Sequence, residues 1–176
     1  MKYYSQVISP TTPLLVVIAI DQSGSMNAPF THYSMILSKS EVASMVASSI
    51  IEELISRSYH ADKSRHYFDL SVVGYSRYEV YPLLCDSCHP VSAAIYENSR
   101  PKLIRRVIEY ITPDNHLRLV PEAYYEWIKP QAAGTTSMLE MLDCVGDIVS
   151  DWCESRQNHK SFPPIVINIT DGLDEL

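Results

Sequence analysis

The sequence predicts an α/β fold with three layers, in which helices cover both faces of a mostly parallel sheet. Three observations support this fold class: an unbroken apolar run at residues 14–20, a second buried-type strand at residues 165–169, and amphipathic helical patterns between them. Apolar runs without alternation are typical of strands buried on both faces, and strands that alternate with helices favour a parallel sheet. With 176 residues, the chain is expected to form a single domain over residues 1–176.

Composition and charge narrow the possible partners. Hydrophobic residues make up 46% and charged residues 20% of the chain, as in ordinary globular proteins that fold in water. A net charge of -7 without a basic run argues against a nucleic-acid surface and favours attraction to cations. The longest apolar run is too short to span a bilayer, and no signal peptide is recognised. Four cysteines without a secretory signal indicate the cytoplasm rather than a disulfide framework.

The predicted elements begin with a central strand at residues 14–20, followed by an amphipathic helix at residues 39–58. The apolar residues of this helix recur at spacings of three and four, which is typical of one buried face. They are Val42, Met45, Val46, Ile50, Leu54 and Ile55, with Ser44 and Ser48 among the polar residues between them. Residues 67–75 and 79–84 then form an antiparallel hairpin, in which Pro82 places the second strand at a sheet edge.

A further helix is expected across residues 101–111, with Pro101 near its start. The prediction depends on the helical spacing of its apolar residues, which are Leu103, Ile104, Val107, Ile108 and Ile111. Residues 112–133 show no clear pattern. Within them, Tyr124, Tyr125 and Trp127 are expected to pack beneath a long connection, with a partner-binding patch as the alternative.

The clearest helix begins near Ser137, where Ser137 and Glu140 fit a capping box. Its apolar face consists of Met138, Met141, Leu142, Val145, Ile148, Val149 and Trp152. Residues 165–169 then form the last buried strand. Because no further strand follows, the sheet is expected to be shortened on its C-terminal side, with an exposed edge that could allow self-association.

The residues that carry chemistry begin with Asp21-Gln22-Ser23-Gly24-Ser25, directly after the first strand. Open α/β sheets bind their ligands at the carboxyl ends of strands. Three oxygen side chains at alternate positions, around a glycine that permits a tight turn, can converge on a hard cation such as Mg²⁺. The alternative is a purely structural role in capping the N-terminus of a helix, where Ser and Asp are also common.

Two further segments strengthen the metal hypothesis. Gly134-Thr135-Thr136 precedes the capped helix, and Asp171 follows the last strand, so hydroxyls and a carboxylate from three loops could meet at one rim. In this order the segments resemble the metal-ion-dependent adhesion site, or MIDAS, of the von Willebrand factor type A (VWA) domain. The resemblance spans nearly the whole chain and implies a Rossmann-like three-layer VWA fold with one antiparallel edge strand.

The resemblance also implies a role for each site residue. Ser23 and Ser25 would bind Mg²⁺, or Mn²⁺, directly, while Asp21 and Asp171 would act mainly through bound water. Thr136 would be the hydroxyl ligand of the second loop, although Thr135 replaces a glycine of the family pattern and leaves the choice between the two threonines open. The open coordination position would take an Asp or Glu of a partner protein. Because no export signal is recognised, the chain is more similar to cytosolic bacterial members, including those of tellurite-resistance type, than to integrin or matrix-protein A domains.

The runner-up function is a metal-dependent phosphohydrolase, because an Asp after the first strand beside Mg²⁺ also occurs in phosphoryl-transfer enzymes. Against it, Ser23 stands where a second acidic residue would help, and no Lys or Arg accompanies the motifs. The sequence therefore favours a binding module over an enzyme.

The pair Cys85 and Cys88, followed by His89, allows several interpretations. The spacing matches c-type haem attachment, which is disfavoured because such proteins are exported. Zinc ligands, a redox pair and ordinary loop cysteines stay open, and no second Cys-x-x-Cys supports zinc.

Overall fold

The fold was obtained as a computed structural model. It describes residues 7–32, 35–60, 63–77, 79–112, 114, 116–155 and 161–172. The strands are β1 (Leu14–Asp21), β2 (Pro29–His32), β3 (Met35–Ser38), β4 (Tyr59–His60), β5 (Lys63–Ser64), β6 (Phe68–Ser76), β7 (Glu79–Pro82), β8 (Val91–Ser92), β9 (Leu103–Ile111), β10 (Leu117–Tyr125) and β11 (Ile165–Ile169). The α-helices are α1 (Lys39–Ser58) and α2 (Met138–Glu154), and two short 3-10 helices span Gly24–Asn27 and Ala93–Tyr96.

The main sheet has the order β11-β1-β6-β7, and β8 also pairs with β6. The central pairings of β1 with β11 and with β6 are parallel, whereas β7 and β8 run antiparallel to β6. The chain therefore has a mixed α/β fold with a mostly parallel sheet. Because β1 and β11 are parallel neighbours, their carboxyl ends lie at the same edge of the sheet.

Strand β1 is buried along its whole length, as its apolar run predicts. Leu14, Val16, Ile18 and Ile20 face the cluster that contains α1, while Leu15, Val17 and Ala19 face the cluster that contains α2. One helix thus covers each face of the sheet. In a segment buried on both faces, alternation of apolar and polar residues disappears.

Helix α1 has the predicted bounds, but its buried face differs from the prediction. Small residues line that face, namely Ser40, Ala43, Ser44, Ala47, Ser48 and Ser58, together with Met45, Ile51 and Ile55. Val46, expected on the apolar face, is 45% exposed. Small side chains let the helix lie close to the sheet. The Ser48 hydroxyl accepts a hydrogen bond from the Ile128 backbone amide at 3.2 Å.

The expected hairpin of β6 and β7 is confirmed. Its strands pair antiparallel from Val73 opposite Pro82 to Ser76 opposite Glu79. Pro82 lies in the terminal strand of the sheet order, where the missing amide donor costs no ladder bond.

The predicted helix at residues 101–111 is wrong, because this segment is strand β9. It pairs antiparallel with β10, from Leu103 opposite Tyr125 to Ile111 opposite Leu117. Its apolar residues have a helical rather than an alternating spacing, so the local period predicts the wrong element over so short a run. Three of the five are isoleucine, which favours strands, and the long-range partner β10 decides the outcome.

The aromatic residues at the end of β10 and directly after it make side-chain contacts with neighbouring elements. The Trp127 Nε1 donates to Glu52 at 3.1 Å, and its ring meets Tyr96 edge-on at 5.7 Å. Arg100 lies over the Tyr125 ring, and Arg106 over the Tyr124 ring. These contacts are those of packing residues.

Helix α2 and strand β11 occur where they were predicted. The expected burial of β11 is wrong, because the strand ends the described sheet and all five of its residues are half-buried or exposed. The capping box at Ser137 is also wrong. The Ser137 side chain makes no cap bond to its helix, and its hydroxyl is buried without a hydrogen-bond partner. Leu142, expected on the apolar face, is 57% exposed. The capping box occurs instead at α1, between Ser38 and Glu41. Neither described helix is both long enough and apolar enough to cross a membrane.

Candidate metal site

Asp21 occupies the last position of β1 and is fully buried. Its Oδ1 accepts the backbone amide of Ser23 at 2.8 Å, and its Oδ2 accepts the Thr170 hydroxyl at 2.9 Å. The first bond shapes the loop after β1, while the second ties that loop to the residue after β11. The carboxylate therefore joins two of the loops that the sequence placed at one rim.

Ser23 and Ser25 lie side by side in the turn that follows β1. Their hydroxyl oxygens are 3.1 Å apart, close enough to share one cation. Gly24 lies between them and donates its amide to the Gly134 carbonyl at 2.7 Å. A Cβ on Gly24 would lie 3.2 Å from that carbonyl oxygen, which is a tight contact. The two loops can therefore lie this close because residue 24 has no side chain.

Thr136 lies in the loop before α2, two residues after the turn at Gly134 that is bonded to the loop of Ser23 and Ser25. Gly134 has a φ of 85°, and a Cβ there would overlap the Arg77 side chain, so only glycine fits without strain. The backbone amide of Arg77 donates to the Thr135 carbonyl at 2.9 Å. Thr136 is buried and Thr135 half-buried, and both stay candidates for the hydroxyl ligand.

Asp171 follows β11 and is bonded to a residue that the sequence analysis missed. The Lys39 Nζ donates to the Asp171 Oδ2 at 2.8 Å, with only 5% of the Asp171 side chain exposed. The expectation that no Lys or Arg accompanies the motifs is therefore wrong. A signal was present in the sequence, since Lys39 begins the predicted helix, where the helix dipole disfavours a cation.

Tyr75 lies beside Asp21 in the neighbouring strand and carries the clearest electrostatic signature of the site. Burial, and after it the negative charge of Asp21, raises the pKa of Tyr75 to about 12. Its hydroxyl donates to the Asn168 side chain of β11 at 2.9 Å. A neutral phenol thus links three adjacent strands just below the candidate metal site.

The candidate metal site comprises Asp21, Ser23, Ser25, Thr136 and Asp171. Its donors are carboxylate and hydroxyl oxygens, which suit a small hard cation such as Mg²⁺ or Mn²⁺ better than a soft one. Two bonds hold the loops together, Gly24 to Gly134 and Thr170 to Asp21. The residues present therefore fit the chemistry of a small divalent cation.

The cysteine alternatives are decided by position. All four cysteines are free thiols. Cys88 lies beside Cys144 of α2, and burial raises the pKa of both thiols, which lowers their reactivity near neutral pH. The described residues contain no group of three or more His, Cys, Asp or Glu side chains that could hold a metal. The described structure thus forms no zinc site at Cys85 and Cys88.

No protein-family model, curated protein or solved structure matches the chain. The function of the protein is accordingly inferred from the geometry of the candidate metal site.

Proposed function

We propose that the chain is a VWA-like, divalent-metal-dependent protein-interaction module. In this proposal Mg²⁺, or Mn²⁺, binds at the candidate metal site and receives an Asp or Glu side chain from a partner protein. Ser23, Ser25 and Thr136 supply hydroxyl ligands, while Asp21 and Asp171 supply negative charge. The chain acts by binding rather than by catalysis.

The observation that carries the proposal is the junction of three loops around oxygen donors. The loop of Ser23 and Ser25 is bonded to the turn at Gly134, and its Asp21 is bonded to Thr170 beside Asp171. Capping of a helix entrance would not require residues from three distant parts of the chain to converge. The convergence therefore favours a ligand site over loop capping.

A phosphohydrolase is the second candidate, and Lys39 favours it, because a cation beside a metal site can stabilise phosphoryl charge. The state of Asp21 argues against this reaction. Both of its carboxylate oxygens accept hydrogen bonds, and the side chain is fully buried, so neither oxygen is exposed to attack a phosphate. The binding module is therefore preferred.

The cytoplasm is the compartment proposed for this module. All four cysteines are free thiols, which fits a reducing environment. A bacterial origin belongs to the same proposal and follows from the resemblance alone.

Metal binding is tested by calorimetric titration of chelator-treated protein with Mg²⁺ and Mn²⁺, with the melting temperature followed in parallel. Ser25→Ala removes a half-buried hydroxyl with little structural cost, and we expect it to weaken metal binding by about tenfold or more. Saturating metal should raise the melting temperature of the wild type, because a ligand that binds only the folded state stabilises it.

The matched control is Ser150→Ala, on an exposed position of α2, which should bind metal as the wild type does. If neither readout detects metal binding, the metal-site proposal is rejected, and loop capping becomes the preferred role of the five residues. Hydrolysis of p-nitrophenyl phosphate that requires Mg²⁺ and is lost in Asp21→Asn would instead establish the phosphohydrolase.

A further inference from the structure

Lys39 belongs to none of the segments that define the candidate metal site, yet it lies within it. It is the first residue of α1, and its backbone amide donates to the Ala28 carbonyl at 3.0 Å. Its ammonium reaches across to Asp171, 132 positions along the chain, and 28% of its side chain is exposed. The contact is therefore tertiary and partly shielded from water.

The local sequence does not favour a lysine at this position. The first turn of a helix carries partial positive charge, so a cation there is destabilising. The Ser38 and Glu41 capping box places its acidic group on the same turn. Because Glu41 bonds to Ser38 rather than to Lys39, the partner of the ammonium is Asp171.

The formal charges of the site change sign with the metal. Asp21 and Asp171 contribute -2 and Lys39 contributes +1, so these three side chains sum to -1. A divalent cation would bring the sum to +1. Without Lys39, the charges of the same two carboxylates and the metal would sum to zero. The site would then attract an acidic side chain of a partner less strongly.

We propose that Lys39 is a specificity-determining residue with two opposing effects. It competes with the metal for Asp171, which weakens metal binding. Once the metal is bound, it gives the site the net positive charge that selects an acidic side chain. This inference rests on the proposed function, since it requires the metal to bind.

A groove beside the site adds a second feature of the partner. Its volume is about 290 Å³, and it shares Lys39, Thr170 and Asp171 with the surroundings of the candidate metal site. Phe30 and Val46 line it, and each is 45% exposed. The volume lies at the lower limit of about 300–1,000 Å³ for small-molecule pockets, so the groove suits an apolar side chain.

The partner is therefore a polypeptide segment in which an Asp or Glu neighbours a large apolar residue. The acidic group would meet the metal and Lys39, and the apolar side chain would enter the groove. The metal-dependent charge reversal explains why such a segment would bind only the metal-loaded protein.

The first test measures metal affinity in Lys39→Met, which keeps the length of the side chain and removes its charge. Mg²⁺ should bind about tenfold more tightly than in the wild type, because a competing cation is gone. The metal-free variant should melt at a lower temperature, since Asp171 loses its partner. Lys63→Met, on an exposed site of β5, is the control and should leave both values unchanged.

The second test uses two labelled decapeptide pools with random flanks, one with Asp and one with Asn fixed at the centre. In Mn²⁺, the wild type should bind the Asp pool more strongly, and peptides released by chelator should be enriched in an apolar neighbour. Lys39→Met should bind the Asp pool severalfold more weakly despite its tighter metal.

The outcomes separate the two proposals. If the wild type binds no metal, the proposed function is overturned and this inference with it. If metal binds but Lys39→Met changes neither metal nor peptide affinity, the inference alone is overturned. Equal binding of the Asp and Asn pools would likewise reject the charge selection.

Discussion

At the scale of single residues, Tyr75 connects the sheet to the candidate metal site. It is fully buried in β6, donates its hydroxyl to Asn168 of β11 and lies opposite Asp21 of β1. Burial keeps the phenol neutral by raising its pKa to about 12, against an ordinary value of 10.0. The neutral form is thus more favourable in the folded than in the unfolded protein.

Tyr75→Phe is expected to lower the free energy of unfolding at pH 7 by about 1 kcal/mol, since it removes one hydrogen bond. The contribution of the neutral phenol is fully present below pH 10 and is lost as the pH rises through about 12. Because this loss is larger than the contribution of one hydrogen bond, the stability advantage of the wild type over the variant should shrink above pH 10 and then reverse in sign.

Urea unfolding at pH 7, 10 and 11.5 measures that difference directly. Tyr59→Phe is the matched control, because Tyr59 is 45% exposed and its removal should have little effect at any of these pH values. A Tyr75→Phe effect that stays constant up to pH 11.5 would contradict the raised pKa.

At the scale of elements, the loop between β10 and α2 depends on one glycine. Gly134 combines a φ of 85° with the close Arg77 side chain, and its carbonyl accepts the Gly24 amide. A side chain here would disturb both the turn that precedes Thr136 and the bond that joins the two site loops.

Gly134→Ala is expected to destabilise the fold by about 1–2 kcal/mol or more, because an alanine pays that amount for the left-handed conformation before any overlap with Arg77. Metal affinity should fall with it. Gly146→Ala offers a control of opposite sign, since Gly146 lies inside α2 with open space around it. Alanine there should stabilise the protein by about 0.5–1 kcal/mol. Thermal and urea unfolding measure both changes, and a neutral Gly134→Ala would show that the turn tolerates a side chain.

Among the elements, α1 and β9 show where local patterns lose their predictive value. The bounds of α1 followed from its periodicity, but small serines and alanines occupy the buried face in place of Val46. Hydrophobicity alone does not reveal that a helix packs closely through small side chains. For β9, the partner strand lay in a segment without a clear pattern.

At the scale of the whole molecule, β11 is the edge strand of the described sheet and has solvent-exposed apolar residues. In the described part of the chain it pairs with β1 only, and Ile165 and Val166 are 43% and 46% exposed. Leu142 of α2 is a further exposed apolar residue. Open edges of this kind promote pairing with other chains.

We expect the protein to self-associate through β11 at high concentration, and Val166→Lys to reduce this association, because a charged residue blocks edge pairing. Sedimentation velocity over a hundredfold range of concentration provides the measurement. Val7→Lys, at a residue that is 78% exposed, controls for the added charge. A wild type that stays monomeric throughout, or equal association in both variants, would contradict pairing through this edge.

The sequence by itself determined the positions of β1 and β11, the bounds of α1, the start of α2 and the placement of four of the five candidate site residues after strands. These features follow from local patterns, since a strand buried on both faces, such as β1, favours an unbroken apolar run and its polar continuation must lie at the sheet edge. The fifth, Thr136, was placed by the turn at Gly134.

Only the tertiary structure decided the β9 and β10 hairpin, the buried face of α1 and the pairing of Lys39 with Asp171. Each depends on contacts with residues that are distant in sequence. The local spacing of apolar residues does not predict which distant segment will pack against a given element. The ion pair shows this most clearly, because 132 positions separate its two residues. Burial between packed elements, rather than local preference, brings that charge into the candidate metal site.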